Sequence, residues 1–256
     1  MNPPAHLYIL TGASRGMGLA MAEQLLAPTH QLLCISRHTP PTLAKQALAA
    51  ACALEQWVLD LGQAAAAAQR LTNWLKAQPL HTLQSATLIN NAGVIPTLSP
   101  LAQCPADDMT QALRVGLEAP MLLTAAFLSA TGNNPGLSRK VLNISSGLGR
   151  RAMASQAAYC AAKAGMDHFS RCLALDEARH PHGAKVCSLA PGVIDTDMQT
   201  QLRTAPAADF PDQANFAHLK QTGALATPAQ AAQRVLAWLQ RPDFGQQVVA
   251  DVRDAG

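Results

Sequence analysis

Three residues in the second half of the chain could carry acid–base chemistry on a small substrate. Tyr159 and Lys163 are four residues apart in an alanine-rich helical pattern, so their side chains would share one helix face. A lysine ammonium favours phenolate over phenol, so this spacing predicts a Tyr159 pKa lowered from about 10 toward neutrality. Ser146 follows an apolar run at 141–144 that is typical of a buried strand. Its hydroxyl could hydrogen-bond the carbonyl oxygen that Tyr159 protonates.

The same tyrosine–lysine spacing also occurs on ordinary helices, where a lysine only extends along the surface. A second pattern, near the N-terminus, supports the chemical interpretation. A short apolar strand at 6–10 is followed by TGASRGMG at 11–18 and then by a helical pattern. Strand, glycine-rich turn and helix form the unit that holds a pyrophosphate on backbone N–H groups, although the spacing is GxxxGxG and not GxGxxG. The cofactor contacts predicted from this turn are Gly12, Ser14, Arg15, Gly16, Met17 and Gly18.

The end of the predicted second strand, 31–35, indicates which nicotinamide cofactor is used. An NAD-binding fold usually has a carboxylate here that binds the ribose 2′-hydroxyl, whereas this chain has Ser36, Arg37 and His38. Arg37 and Arg15 could bind a 2′-phosphate that an acid would repel. The sequence therefore favours NADP(H) over NAD(H), the alternative being two solvated arginines at loop ends.

Two further strand ends carry candidate cofactor residues. Asp60, followed by Leu61, ends the predicted strand 57–61, where it could accept a hydrogen bond from adenine or only cap the next helix. The predicted strand 87–89 leads into Asn90, Asn91, Ala92 and Gly93. Small and amide residues at the carboxyl end of a strand allow a ribose to approach closely. We expect contacts from Asn91, Ala92 and Gly93.

Strands and helices alternate along the whole chain, with no internal repeat or linker. This alternation predicts a single α/β domain over 1–256, with a doubly wound, Rossmann-like parallel sheet of about seven strands and helices on both faces. Further helices are predicted at 42–53, at 105–130 with a kink at Pro120, and at 152–179. The polar, proline-containing stretch at 199–226 lacks periodicity, and we expect a mobile insertion that forms a substrate lid.

Composition excludes several functional classes. The 256 residues carry a net charge of only +3 and no basic block, which argues against nucleic acid. No run approaches 18 apolar residues and no leader pattern is visible, so no membrane association is expected. The six cysteines form no CxxC or metal-ligand spacing, which predicts free thiols, no metal site and a cytoplasmic location.

Taken together, TGxxxGxG at 11–18, Asp60, NNAG at 90–93, Ser146, YxxxK at 159–163 and PG at 191–192 resemble the short-chain dehydrogenase/reductase family over essentially the full length. Within the family, the chain is most similar to the sepiapterin reductases and the bacterial benzil-type reductases. The resemblance implies that NADPH lies across the carboxyl ends of the strands. Tyr159 then delivers a proton, Ser146 holds the carbonyl oxygen, and Lys163 also binds the ribose. The nicotinamide contacts that it implies are Pro191, Gly192, Val193 and Thr196, although Thr196 could instead cap the next helix.

The resemblance also suggests substrate contacts and an assembly. Asp251 matches an aspartate that anchors the pterin in sepiapterin reductases, the alternative being an exposed acid on the last strand. The candidates for an apolar substrate wall, which could equally be core residues, are Leu148, Met153, Met198 and Phe210. A homodimer or homotetramer is implied, packed through helices that carry Ala125, Ala126, Ala161 and Ala164.

One departure from the family pattern concerns the middle of the fourth helix, where many members carry a catalytic asparagine and this chain has Gly116. A water could still bind a backbone carbonyl freed by a helix irregularity there.

Three functions remain open. One is reduction of small or aromatic ketones, diketones or pterin side chains. Another is reduction of 3-oxoacyl thioesters, with Arg150, Arg151 and Arg203 receiving an acyl carrier. The third is an NADPH-binding sensor with slow turnover, supported only by Gly116.

Overall fold

The structure, a computed structural model, describes residues 4–254 and has one seven-stranded, fully parallel sheet in the order β3-β2-β1-β4-β5-β6-β7. The predicted doubly wound α/β fold is confirmed. The strands are β1 His6–Thr11, β2 His30–Ser36, β3 Ala53–Val58, β4 Ser85–Asn90, β5 Ser138–Ile144, β6 Lys185–Ala190 and β7 Val249–Asp251.

Helices cover both faces of the sheet. They are α1 Gly16–Gln24, α2 Pro41–Ala49, α3 Ala64–Lys76, α4 Ala106–Leu113, α5 Ala119–Thr131, α6 Ala157–Glu177, α7 Asp197–Thr204, α8 Gln213–Gln221 and α9 Pro228–Gln240. The core on one face is built with α1, α2 and α9, and the core on the other with α3, α5 and α6. Alternate residues of β1 supply both cores, since Leu7 and Ile9 point to the second and Leu10 to the first.

The chain reverses its winding direction between β1 and β4, which are neighbours in the sheet although β2 and β3 lie between them in sequence. Side chains tie the two strand ends together. The Thr11 hydroxyl oxygen accepts the backbone N–H groups of Asn91 and Ala92, each at 3.0 Å, and the Asn91 amide donates to the carbonyls of Thr11 and Gly12. Open α/β sheets bind ligands at such a switch point.

Two predicted boundaries and one predicted loop were wrong. The helix expected at 42–53 ends at Ala49, and β3 begins at Ala53, so Asp60 lies in the loop beyond the strand. Polar residues on this edge strand hide its pattern. The stretch at 199–226 is not irregular, because α7 and α8 occupy much of it. These helices pack around the fully buried Phe210, together with Leu98 and Leu202.

The long helix expected at 105–130 is observed as α4 and α5 joined by a π-helical turn at Arg114–Glu118. Pro120 lacks the N–H that would bond one turn back, so the irregularity falls on the turn preceding it, at Gly116. By length and composition Ala106–Thr131 is apolar enough to cross a membrane, but half of its most apolar stretch is buried, with Leu123 and Phe127 in the core.

Gly18→Ala should destabilise the fold, because a Cβ at Gly18 would lie 2.0 Å from the backbone oxygen of Gly12. We expect the free energy of unfolding to fall by about 1–3 kcal/mol, the usual range for overpacking. Urea denaturation of both proteins measures the difference. Gly136→Ala is the matched control, since its Cβ would meet nothing within 4 Å. Equal stability of the two variants would contradict the packing argument.

Candidate active site

A cavity of about 900 Å³ opens at the carboxyl edge of the sheet. It brings together almost every residue that the sequence singled out. Those lining it are Gly12, Ser14, Arg15, Gly16, Met17, Gly18, Arg37, Asp60, Leu61, Asn91, Ala92, Gly93, Ser146, Leu148, Tyr159, Lys163, Pro191, Gly192, Val193, Thr196, Met198 and Asp251. Met153 does not line the cavity, because it packs against the buried cluster of Leu98, Leu202 and Phe210.

Ser146, Tyr159 and Lys163 meet in one wall of the cavity. Ser146 lies just beyond β5, and its hydroxyl oxygen accepts the N–H of Leu148 at 3.1 Å. Tyr159 and Lys163 lie on α6, both buried, with the Lys163 Nζ 5.8 Å from the centroid of the tyrosine ring. Lys163 Nζ donates to the carbonyl oxygen of Ile144 at 2.7 Å. This bond holds α6 against the end of β5, so the phenol and the hydroxyl face the same space.

The predicted lowering of the Tyr159 pKa by Lys163 is not observed. Burial raises the pKa of Tyr159 to about 12, opposed by a hydrogen bond with Ser146. Burial also lowers the pKa of Lys163 to about 8, opposed by the nearby Asp167 carboxylate. The Lys163 ammonium donates to the Ile144 carbonyl, and desolvation of the phenolate is the largest effect on the Tyr159 pKa. At neutral pH Tyr159 is therefore a phenol, the protonation state of a proton donor.

Asp167 is a buried residue behind the cavity wall, and sequence reasoning missed it. It is 2% exposed on α6, one turn beyond Lys163. One carboxylate oxygen accepts the hydroxyls of Ser145 at 2.6 Å and Ser188 at 2.7 Å, and the other accepts Arg150 Nε at 3.2 Å. The carboxylate thus connects α6 to the ends of β5 and β6. The spacing of 159, 163 and 167 on one helix face was the available signal.

The glycine turn provides a place for a pyrophosphate. The backbone at Gly12 and Gly16 has φ of +71° and +56°, which favours glycine, and a Cβ at Gly12 would lie 2.9 Å from Ala92 Cα. Among residues 4–254, no side chain caps the N-terminus of α1, so its first N–H groups face the cavity without such an acceptor. These residues fit the diphosphate of a dinucleotide cofactor.

The two candidate phosphate-binding arginines differ in their partners. Arg15 forms an exposed ion pair with Asp197 at 2.8 Å, linking the glycine turn to α7. Arg37 is exposed at the cavity, and no carboxylate pairs with it in the described part of the chain. Asp60 accepts the N–H of Gly62 at 2.9 Å in a local turn and does not cap α3. Its other oxygen is the one available to an adenine.

Asp251 lies in the cavity wall, but its carboxylate is already engaged. Arg253 donates to one oxygen at 2.7 Å and to the other at 2.6 Å, and its own backbone N–H also bonds the carboxylate. This hydrogen bonding holds the pKa of Asp251 below its usual range. A pterin would have to compete with Arg253.

Thr196, at the N-cap position of α7, makes no side-chain cap there, which leaves its hydroxyl for a ligand.

Gly116 lies in the π-helical turn, which is the helix irregularity expected at this position. A Cβ at this position would lie 3.1 Å from the Cβ of Ala162, next to Lys163 on α6. An asparagine would therefore crowd Ala162, and glycine lets the two helices pack closely. Within residues 4–254, no group of three or more His, Cys, Asp or Glu side chains is arranged to hold a metal ion.

Comparisons with known proteins agree with this geometry. Residues 6–207 match the short chain dehydrogenase family. The benzil reductase ((S)-benzoin forming) of Bacillus cereus is 32% identical over 245 residues, covering 93% of this chain and 95% of that protein. The sepiapterin reductase of Rattus norvegicus is 33% identical over 257 residues, covering 96% and 95%. The crystal structure of a short-chain dehydrogenase/reductase from Burkholderia vietnamiensis is 31% identical, with a TM-score of 0.64 and 99% coverage of both chains.

A family match over most of the chain, a shared parallel sheet and relatives above 30% identity point to one conclusion. The chain belongs to the short chain dehydrogenase family, and it is an oxidoreductase that acts on CH–OH or carbonyl groups of small molecules with a nicotinamide cofactor.

Proposed function

We propose that this protein is an NADPH-dependent reductase of ketones and diketones in which Tyr159 is the proton donor. The observation that carries the proposal is the convergence of Ser146, Tyr159 and Lys163 in one wall of the cavity. The wall adjoins the glycine turn that fits a diphosphate. The two curated relatives named above are reductases of carbonyl compounds by their names, which supports the same class of substrate.

When bound, NADPH supplies the hydride that reduces the carbonyl carbon. The residues of this chain bind the carbonyl oxygen of the substrate and protonate it. Ser146 donates a hydrogen bond to the carbonyl oxygen and orients it, and Tyr159 transfers its phenolic proton to that oxygen, leaving a phenolate. The Lys163 ammonium stabilises the phenolate as it forms, and solvent then returns the proton. A phenol with a raised pKa is protonated before each turnover, as this direction requires.

Arg37 supports the preference for NADP(H). Its exposed guanidinium follows β2, the position at which an acid would select the ribose 2′-hydroxyl. Arg15 has a carboxylate partner in Asp197, so Arg37 is the stronger candidate for the 2′-phosphate. The remaining cofactor contacts that we propose are those that line the cavity from the glycine turn to Thr196.

The two alternative functions have less support. Arg150 is engaged by Asp167 and the Ala250 carbonyl, and Arg203 by Asp195 and Gln199, which leaves Arg151 for an acyl carrier. A 3-oxoacyl thioester substrate is thus disfavoured. The only support for a slow sensor is Gly116, and its close approach to Ala162 gives this glycine a packing role instead.

We also propose that α7 and α8 cover the substrate end of a single domain, and that the protein is a cytoplasmic homodimer or homotetramer. Asp195 holds both helices in place, because it pairs with Lys220 on α8 at 2.5 Å and with Arg203 on α7 at 3.3 Å. For the assembly, Ala125, Ala161 and Ala164 are exposed on α5 and α6, as close helix packing requires, whereas Ala126 belongs to the core.

Tyr159→Phe should abolish reduction while leaving the cofactor bound. We expect kcat for a diketone such as benzil to fall by about 10²–10⁴-fold, the usual contribution of a positioned proton donor. Consumption of NADPH at 340 nm gives kcat, and fluorescence titration gives the NADPH Kd, which should stay the same. Tyr8→Phe is the control, because Tyr8 packs against His30 away from the cavity. Retained activity in Tyr159→Phe would overturn the mechanism.

Arg37→Ala should weaken NADPH selectively. Loss of a charge-assisted hydrogen bond to phosphate is worth about 1.5–3 kcal/mol, which is roughly a 10- to 150-fold loss in kcat/KM for NADPH. The value for NADH should not change, because NADH lacks the phosphate. Steady-state kinetics with both cofactors measure the two effects. A wild-type preference for NADH would refute the assignment of Arg37.

Asp167→Asn should change the pH profile of reduction. Lys163 loses its charge above a pKa of about 8, so we expect kcat to decline as the pH rises through this value. The Asp167 carboxylate raises that pKa, so removing its charge should move the decline to lower pH. Asp176→Asn, an exposed change on the same helix, should leave the profile unmoved. A uniform loss at every pH would show that Asp167 only supports the fold.

A further inference from the structure

Arg151 is a cation in the cavity wall that the mechanism above does not use. The residue is exposed and lines the cavity of the proposed active site. None of the ion pairs among residues 4–254 includes its guanidinium. The neighbouring Arg150 differs, because it donates to the Asp167 carboxylate at 3.2 Å and to the Ala250 carbonyl at 2.8 Å. Arg150 therefore holds the wall together, and Arg151 is left for a group that enters the cavity.

Most of the other charge in the cavity wall is already balanced. Four carboxylates line the described cavity, and three of them pair with a cation, namely Asp195, Asp197 and Asp251. The fourth, Asp60, follows β3 at the cofactor end. Of the four arginines that line the cavity, Arg37 and Arg151 have no carboxylate partner in the part of the chain that the structure describes. Unbalanced cations in a cleft attract anionic ligands and raise their local concentration.

The two free arginines lie at different ends of the cavity. Arg37 follows β2 and Ser146 follows β5, and the sheet order places three strand spacings between these strands, about 14 Å. The glycine turn that fits a diphosphate follows β1, which is two spacings from β5, about 10 Å. The cofactor therefore accounts for Arg37. Arg151 comes after Ser146 in the chain and lies at the substrate end.

The turn that follows Ser146 keeps Arg151 close to the reacting groups. The backbone N–H of Arg151 donates to the carbonyl of Gly147 at 3.0 Å, and such a bond places the two Cα atoms about 6 Å apart, roughly one helical turn. The Arg151 charge also acts on α6. Burial raises the pKa of the Cys160 thiol, and attraction by Arg151 is among the effects that oppose it. Cys160 adjoins Tyr159, so the free charge lies beside the place where the carbonyl oxygen is bound.

A guanidinium at this position suits a carboxylate. It presents five N–H donors in a planar fork, which can bind both oxygens of one carboxylate. An uncharged ketone leaves these donors to water. A phosphate monoester carries nearly two negative charges at neutral pH, more than one guanidinium balances. An acidic protein partner would need a group of free cations, and both Arg150 and Arg203 are engaged by carboxylates.

We propose that Arg151 binds a carboxylate of the substrate, and that the protein therefore favours oxo acids over uncharged ketones. This inference rests on the proposed function and deepens it, because it names the substrate class. The reacting carbonyl stays on Ser146 and Tyr159, and a ring or short chain connects it to the carboxylate on Arg151. The carboxylate takes no part in the chemistry, so the ion pair contributes binding and orientation. The product is a hydroxy acid.

The test uses two aryl ketones that differ in charge, 4-acetylbenzoate and its methyl ester, with the wild type, Arg151→Gln and a control, Arg179→Gln. Arg179 is exposed beyond the end of α6 and does not line the cavity, so its replacement makes the same change in net charge. We expect kcat/KM for 4-acetylbenzoate to fall about 5- to 10-fold in Arg151→Gln, because water weakens an ion pair at an exposed site. The value for the ester should stay the same, and Arg179→Gln should match the wild type on both ketones.

Equal losses on both ketones would overturn the proposal, because they would mean that Arg151 supports the site and does not bind the carboxylate. An unchanged value for the acid would overturn it as well. The same loss in Arg179→Gln would also do so, since overall charge would then be the cause. Thermal unfolding is a separate check. Arg151→Gln should unfold at the wild-type temperature, and a clear drop would assign Arg151 to the fold.

Failure of the proposed function gives a different result, in which the wild type binds NADPH but reduces neither ketone. Calorimetric titration of the NADP⁺-loaded protein with 4-acetylbenzoate and with the ester then tests Arg151 without turnover. Tighter binding of the acid by the wild type than by Arg151→Gln, with the ester bound equally by both, supports the carboxylate site. Equal binding of the acid by both proteins refutes it.

Discussion

The buried carboxylate of Asp167 is the contact on which the arrangement of Ser146, Tyr159 and Lys163 depends. It accepts hydroxyls from Ser145 and Ser188, at the ends of two neighbouring strands, and the guanidinium of Arg150. A carboxylate at 2% exposure needs such partners, and removing one of them would be strongly destabilising. The consequence is a fixed distance between α6 and the sheet. Lys163, one turn earlier on α6, can then reach the carbonyl of Ile144 and face Tyr159.

Close packing sets the remaining geometry of the cavity. Gly116 lets the π-helical turn approach Ala162 on α6, and Gly18 lets α1 begin against the Gly12 carbonyl. In both places a Cβ would move a helix that carries or adjoins a site residue. At both positions glycine allows neighbouring elements to pack closely and takes no direct part in chemistry. The same reasoning explains why a glycine can replace a polar residue in the fourth helix without implying an inactive protein.

Charge is distributed unevenly over the cavity. Arg37 and the uncapped start of α1 make the cofactor end favourable for phosphates, whereas Asp251 at the other end is neutralised by Arg253. Between them lies Tyr159, which burial keeps protonated, and Lys163, whose charge burial disfavours.

The order of strands and helices, the glycine turn and the Ser146, Tyr159 and Lys163 set could all be predicted from the sequence, because each depends on local periodicity or on residues a few positions apart. The ends of α2 and β3 could not, since edge strands with polar residues lack a clear pattern. Nor could α7 and α8, which are held by Phe210 and by pairs between distant residues. The burial of Tyr159 and the contacts of Asp167 were decided only by the tertiary structure. Desolvation and the presence or absence of a buried partner depend on which elements surround a side chain, and spacing along the chain does not specify this.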